Sequence, residues 1–440
     1  MNLNPLIVKL SLIIWFLVLA DNSNCQKKDI KFTHIYIDYP LEPSTYGTGG
    51  FTLNDFDNDG DYDITIQRQG TGKVYWYQNI GSEKWIKYEI ASDVYMQLGA
   101  TSIDINKDGQ FDLIMGTYWL ENPGHLLENP NQKWIKHKYN GAMTNSENHD
   151  IVAADINHDD SPDIVIYSQK YNNGAGIMRW YDITNPYEWK YHDIDTSINK
   201  REMPFWNNGV HAGFAPNGIG DLNNDGWRDI VMPQGWYENP KSLLNDQWIL
   251  RQWTDYGLII GIAKTPYGTS MRTWICDLDQ DGYNDIVFTD CDVENSKAYL
   301  IYNLKGASNF KLESLPFPEG PSGSLHSLGV ADIEGDGDLD IFSGEQEDPD
   351  KGMKPTGLKE RGFLWVNKGP TKNPVFEYQI INMDNPGWHD TILRDMDGDG
   401  DIDLITKVWN ADEGNDSNPD RKWHISYWRN DTVKKKNFKP

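Results

Sequence analysis

The sequence predicts an all-β chain folded as a seven-bladed β-propeller, with calcium-binding DxDxDG loops and a ring closed by an N-terminal strand. Three observations lead there. An acidic ten-residue motif recurs seven times, at intervals of 49 to 66 residues. Apolar runs of strand length flank every copy, and two further strand-like runs follow it. Long amphipathic helical patterns are absent beyond the first twenty residues. A period of this length marks arrays in which each unit buries its faces against its neighbours. Ile, Val, Tyr and Trp alternating with Gly, Asn and Asp read as strands and turns.

The chain opens with MNLNPLIVKLSLIIWFLVLA, one Lys and then an apolar run of signal-peptide length. Val18 and Ala20 satisfy a small-residue cleavage rule. Residues 1–20 are therefore expected to be a leader and residues 21–440 a single propeller domain. Cys25 offers a lipid-attachment alternative, with the leader reaching residue 24. No second apolar stretch is long enough to cross a bilayer. The expectation is an exported monomer, periplasmic, with lipid-anchored and secreted forms left open. A formal net charge of -26 argues against nucleic acid as a partner.

The seven motifs begin at Asp55, Asp104, Asp155, Asp221, Asp277, Asp332 and Asp395. Oxygens at positions 1, 3, 5 and 9 converge if the chain turns tightly, and Gly at position 6 permits the turn. The expected ligands are Asp55, Asp57, Asp59 and Asp63 in the first copy and Asp104, Asn106, Asp108 and Asp112 in the second. They are Asp155, Asn157, Asp159 and Asp163 in the third, and Asp221, Asn223, Asp225 and Asp229 in the fourth. Asp277, Asp279, Asp281 and Asp285 follow, then Asp332, Glu334, Asp336 and Asp340, and finally Asp395, Asp397, Asp399 and Asp403. Hard oxygen donors in this number suit Ca²⁺. An EF-hand needs Glu at position 12, where Ile66 and Met115 stand in the first two copies. Each copy is therefore read as a loop inside a β-hairpin. The rival reading of a metal-free Asx-turn weighs most on the third copy, where Asp160 replaces Gly.

Cys276 lies just before a loop and Cys291 six residues past its last Asp. On a hairpin these two are out of register and beyond disulfide reach. Both are expected to be buried free thiols.

The two later runs in each repeat are aromatic ("KVYWYQN", "GWYENP", "LWVNKG") or start near Trp or Phe ("WIKYEI", "WILRQW", "FEYQII"). Four strands taken seven times make the propeller. The last repeat lacks an outer strand, and "KFTHIYID" near the N-terminus can supply it. The acidic loops resemble those of FG-GAP/VCBS-type propellers, the group that includes integrin α-subunit propellers. The "WYENP" element at Trp236 to Pro240, echoed in "YWLENP", is similar to the sugar-active bacterial and fungal branch. That branch holds aldos-2-ulose dehydratase and related carbohydrate dehydratases and lyases, and ulvan oligosaccharide dehydratases fit the same likeness. The resemblance spans nearly all of residues 21–440 and implies a β-elimination enzyme acting on an anionic, uronate-containing oligosaccharide.

Three histidines stand in register with the repeat. His149, His326 and His389 each precede their motif by six residues. Six residues of strand span about 20 Å, so all three are expected at the face away from the loops. Gly49 and Leu98 hold the equivalent place in the first two copies, so the position does not itself demand His. His211 lies ten residues before its loop and Arg272 five before its own, and both are expected on the same rim. The returning second strands bring Arg68, Glu345 and, close by, Tyr118, Lys170 and Lys407. The histidines suit either a transition metal such as Zn²⁺ or general acid–base work near neutral pH. The sequence leaves that choice open.

For the implied elimination, His149 or His389 is the expected base, and Tyr118 or His326 the acid. Arg272, Lys170 or Lys407 would stabilise the enolate-like charge. Trp119, Trp236 and Trp409 are the expected sugar platforms. Loss of a hydroxyl would make a dehydratase, loss of a sugar a polysaccharide lyase. Rival readings are a non-catalytic glycan-binding or adhesion propeller, and a hydrolase pairing Glu345 with Asp290.

Overall fold

The structure, a computed structural model, describes residues 29–432 apart from 43–46, 82, 96–97, 145–146, 170–173, 201–208, 243–246, 261–267, 348–354, 356–357, 382–386 and 410–423. The leader, Cys25 and Lys170 lie outside the described residues. Strands dominate, joined in seven sheets. The chain is a seven-bladed β-propeller. No described helix is long and apolar enough to cross a membrane.

The first blade shows how a repeat becomes a sheet. Its strands are Thr48–Asn54, Asp63–Arg68, Lys73–Asn79 and Trp85–Ala91, each antiparallel to the next. The acidic loop joins the first two, and Asn54 pairs with Asp63 across its base. The same closing pair recurs in every blade, as in Ala154 with Asp163 and Arg394 with Asp403. The seventh sheet takes its outer strand from Phe32–Asp38, which pairs antiparallel with Ile425–Asn430.

Successive residues of a strand point to opposite faces, and here both faces are buried. Tyr75 and Tyr77 pack toward the seventh blade, against Ile405 and Tyr427. Val74 and Trp76 pack toward the second, against Leu113 and Leu120. Seven such clusters fill the joints between neighbouring blades. A large-to-small change in any of them costs about 2–5 kcal/mol.

Polar bonds stitch the joints near the loops. Asn122 and Asn239 follow, and Asn303 and Asn430 end, the third strands of their blades. Their backbone N–H groups donate to the ninth-position carboxylates Asp112, Asp229, Asp285 and Asp403 at 2.7–3.0 Å. Their side-chain amides reach back to the preceding blade, to the carbonyls of Phe56, Ile156, Leu222 and Ile333, at 2.7–3.1 Å. Blade 3 has Ile183 at this place and lacks the amide.

Blade 4 is irregular. Val210–Ala212 and Pro216–Asn217 pair in parallel with the first strand of blade 5, Thr269–Cys276, before the short inner strand Ile219–Gly220 begins. This detour carries His211 to the channel and accounts for its longer offset. Cys276 and Cys291 are free thiols.

Candidate functional site

At one end of the channel six of the seven acidic loops share one hydrogen-bond pattern, and in the seventh Asp395 accepts from Gly398 and Gly400 at 2.8 and 3.0 Å. In the first, Asp55 accepts N–H bonds from Asp59 and Gly60 at 3.1 and 3.0 Å. Gly60 has φ +98°, the left-handed region open to glycine. Asp160 adopts φ +65° in the third loop, and Asp155 still accepts from Asp159 and Asp160 at 3.2 and 3.1 Å. The missing glycine therefore leaves the loop geometry intact. Three carboxylates come within 4.8 Å of one another at Asp55, Asp57 and Asp63, at Asp277, Asp279 and Asp285, and at Asp395, Asp397 and Asp399. Burial pushes the ninth-position carboxyls up, to about 8 at Asp63, Asp229 and Asp340 and about 7 at Asp112, Asp163, Asp285 and Asp403. Buried oxygen donors of this kind fit a hard cation such as Ca²⁺.

The other end opens on a cavity of about 810 Å³ between the inner strands. His149, His211, Arg272, His326, His389, Lys407 and Trp409 line it. So do Asp292 and Asp390, which the sequence reading did not single out. Arg272 and Lys407 are therefore not bare cations. Arg272 Nη2 lies 3.0 Å from Asp390 Oδ1, and Lys407 Nζ lies 2.7 Å from Asp390 Oδ2. Burial opposes ionisation of Asp390, but Lys407 leads the charges that hold its carboxyl well below the usual range. With Asp150 and Asp292, three carboxylates face two cations, so the rim is a paired network rather than a cationic surface.

Two histidines are oriented by the aspartate that follows them. His149 Nδ1 lies 2.8 Å from Asp150 Oδ1. Asp150 Oδ2 is fixed in turn by the N–H groups of Gly213, Phe214 and Ala215 at 2.7–3.4 Å. A bulge between Asn148 and Asp150 breaks the strand register and re-aims His149. His389 Nδ1 lies 3.1 Å from Asp390 Oδ2, and its ring stacks on His326 with centroids 3.6 Å apart. Burial outweighs Asp390 and pushes His389 down to about 4. Burial, aided by Arg272, lowers His326 as well. His211, with Nδ1 2.7 Å from Gln169 Oε1, is pushed down to about 3 by burial. These three imidazoles are unprotonated at neutral pH.

Between the two groups sits Asp292, with a left-handed φ of +58°. Its carboxylate lies 3.8 Å from His211 Nε2 and 3.7 Å from His326 Nε2. Gln346 Nε2 donates to Oδ1 at 3.2 Å. Among the described residues Oδ2 is buried without a hydrogen bond. Strained, buried, under-satisfied carboxylates concentrate at functional sites.

Several expected site residues stand outside the cavity. Arg68 is buried at the end of its strand and donates to the Glu42 carbonyl. Tyr118 lies on the third strand of blade 2, with Lys136 Nζ 4.9 Å over its ring. Trp119 is buried against His137, ring centroids 4.4 Å apart, and Trp236 is buried in the joint between blades 4 and 5. Both tryptophans are blade packing. Glu345 is fully buried in a two-pronged pair with Arg361, at 2.6 and 2.9 Å, so it is a structural anchor. Trp409 alone of the expected platforms reaches the cavity, stacked 5.1 Å from His389. The missed acids left a trace in the chain: Asp follows His at 149–150 and 389–390, and follows Cys at 291–292.

The FG-GAP-like repeat family matches residues 55–115 and 277–343, each span holding two acidic loops. The fold and its motif thus define a seven-bladed propeller carrying FG-GAP-like repeats. Among solved structures, the chain is similar to an Agrocybe aegerita lectin described by its specific recognition of non-reducing terminal N-acetylglucosamine. That likeness has a TM-score of 0.49 and 16% identity, over 81% of this chain and 90% of the lectin. Rhamnogalacturonan lyase YesW gives 0.45 and 13%, over 91% of this chain and 76% of the lyase. The Aleuria aurantia lectin with α-methyl-L-fucoside gives 0.37 and 14%, over 79% and 100%. At these values the likenesses say nothing of activity. No curated protein matches the chain.

Proposed function

We propose that the protein is a carbon–oxygen lyase that performs β-elimination on a uronate-containing oligosaccharide. In the reading favoured here it removes water from the non-reducing-end uronic acid of an ulvan-type chain. The observation that carries the proposal is the pair of His–Asp arrangements, His149 with Asp150 and His389 with Asp390, on one cavity. Elimination needs a base for the proton beside the carboxylate and an acid for the departing oxygen. An Asp on Nδ1 fixes the tautomer and leaves Nε2 for the chemistry. His389, kept unprotonated, is the base. Lys407 and Arg272 beside it offset the charge that develops on the uronate carboxylate. His149 protonates the leaving oxygen, and Trp409 stacks on the sugar. A free hydroxyl as leaving group makes a dehydratase; a bridging oxygen makes a chain-cleaving lyase.

Two cations complete the proposal. Ca²⁺ in the acidic loops stiffens the scaffold. A transition cation such as Zn²⁺ fits the histidine end at Asp292 and His326, and when bound would supply Lewis-acid charge beside the substrate. The set around Asp390 does not fit such a cation, because Lys407 and Arg272 already stand on both of its oxygens.

The test is to incubate the protein with ulvan-derived uronate oligosaccharides, following ultraviolet absorbance of the conjugated double bond and product mass. A product lighter by one water supports a dehydratase, and unsaturated fragments support a lyase. His389→Ala and His149→Ala should each lower kcat by about 10²–10⁴-fold without moving the melting temperature. Full activity in both variants, or sugar bound and released unchanged by the wild type, would sink the proposal.

A further inference from the structure

Cys291 is a fully buried thiol that the proposed elimination does not use. Cys291 and Asp292 lie just past the strand Asp285–Asp290, free of its alternation of faces, and Asp292 takes a left-handed turn there. Sγ of Cys291, a carboxylate oxygen of Asp292 and a ring nitrogen of His326 come within 4.8 Å of one another. All three residues are buried, and all belong to the wall between blades 5 and 6. Asp292 adds an independent pointer to a ligand, since its Oδ2 is buried without a hydrogen bond among the described residues. Gln346 Nε2 at 3.2 Å and Ser324 Oγ, accepting the Asp292 N–H at 2.7 Å, lock the turn in place.

We infer that Cys291 is a thiolate ligand of the rim cation. The inference rests on the proposed cation at Asp292 and settles which cation it takes. A site of carboxylate and imidazole alone discriminates poorly among divalent ions, whereas a thiolate selects a soft transition cation such as Zn²⁺ over Ca²⁺ or Mg²⁺. The molecule then sorts two metals by chemistry: hard oxygen loops at one end, a sulfur-containing site at the other. Binding breaks the S–H bond of Cys291, forms a sulfur–metal bond and releases one proton to solvent. Ser270 Oγ lies 2.9 Å from Sγ and donates to the thiolate once it forms. Burial and the Asp292 carboxylate hold the free Cys291 thiol well above its usual range, against the pull of Arg272, so the proton is lost to the arriving cation and not before it.

The experiment uses the full chain, stripped of transition metals and held in excess Ca²⁺ to occupy the loops, and titrates it with Co²⁺. The expected result is one tightly bound Co²⁺ with a thiolate-to-metal charge-transfer band and about one proton released. Cys291→Ser should abolish the band and weaken Co²⁺ by about 100-fold or more, while Asp292→Asn should weaken binding and keep the band at saturation. Co²⁺ bound without the band in the wild type, its affinity unchanged in Cys291→Ser, would overturn the role of Cys291 and leave the rim cation standing. No Co²⁺ binding under excess Ca²⁺ would overturn both. The wild-type spectrum decides the matter even if a variant fails to fold.

Discussion

At the acidic-loop end of the channel, seven blades carry the same four-position pattern and the same turn, while at the histidine end the blades part company. Blades 3, 6 and 7 bring histidine to the rim and blade 5 brings Arg272; at the position of those histidines, blades 1 and 2 have only Gly49 and Leu98. Repetition is what a scaffold needs, because each joint must be closed in the same way. Chemistry on one substrate needs the opposite, different groups converging on one point. Under the proposed function, stability belongs to one end and activity to the other.

The sharpest way to break that division is to remove divalent cations. Each loop that binds at a hundredfold excess over its Kd contributes about 2.7 kcal/mol. A few loops together then approach the whole stability of an ordinary domain, about 5–15 kcal/mol. Calorimetry with and without a calcium chelator should show a large fall in melting temperature, and an unchanged melt would dissolve the distinction. A smaller effect concerns Glu345, a rim residue in sequence but an anchor in structure. Arg361→Leu leaves a buried carboxylate unpaired and should cost about 3–5 kcal/mol. Material still folded should keep its kcat/KM, and a selective rise in KM would return Glu345 to the site. The smallest effect sharpens the joints. Asn122→Ala leaves the Phe56 and Phe111 carbonyls without their amide donor and should cost about 1–3 kcal/mol.

The fold was legible because its signals are local and repeated. Loop, flanking strands and aromatic third strand all recur within one repeat, and the offset of His149, His326 and His389 translated directly into depth along the channel. The site was only half legible. Asp150 and Asp390 were overlooked because a neighbour in an extended strand points away, and the bulge at His149 that reconciles them is invisible in one chain. Asp292 depends on a single left-handed residue, which no periodicity announces. Trp119 and Trp236 were misplaced for the opposite reason. Aromatic runs in a propeller fill joints first, and a sugar platform looks the same in sequence as a packed indole.

The pairing of Phe32–Asp38 with Ile425–Asn430 has a consequence in time. His34 and Ser426, hydrogen-bonded across that pair, are 392 residues apart. At a synthesis rate of about 5–20 residues per second, the first strand waits about 20–80 s for its partner to be made. Through that interval it is an unpaired edge, the kind of segment on which strands mispair. The blade completed by Ile425–Asn430 therefore uses a strand made long before it, and Phe32–Asp38 must stay unengaged until that partner has been synthesised.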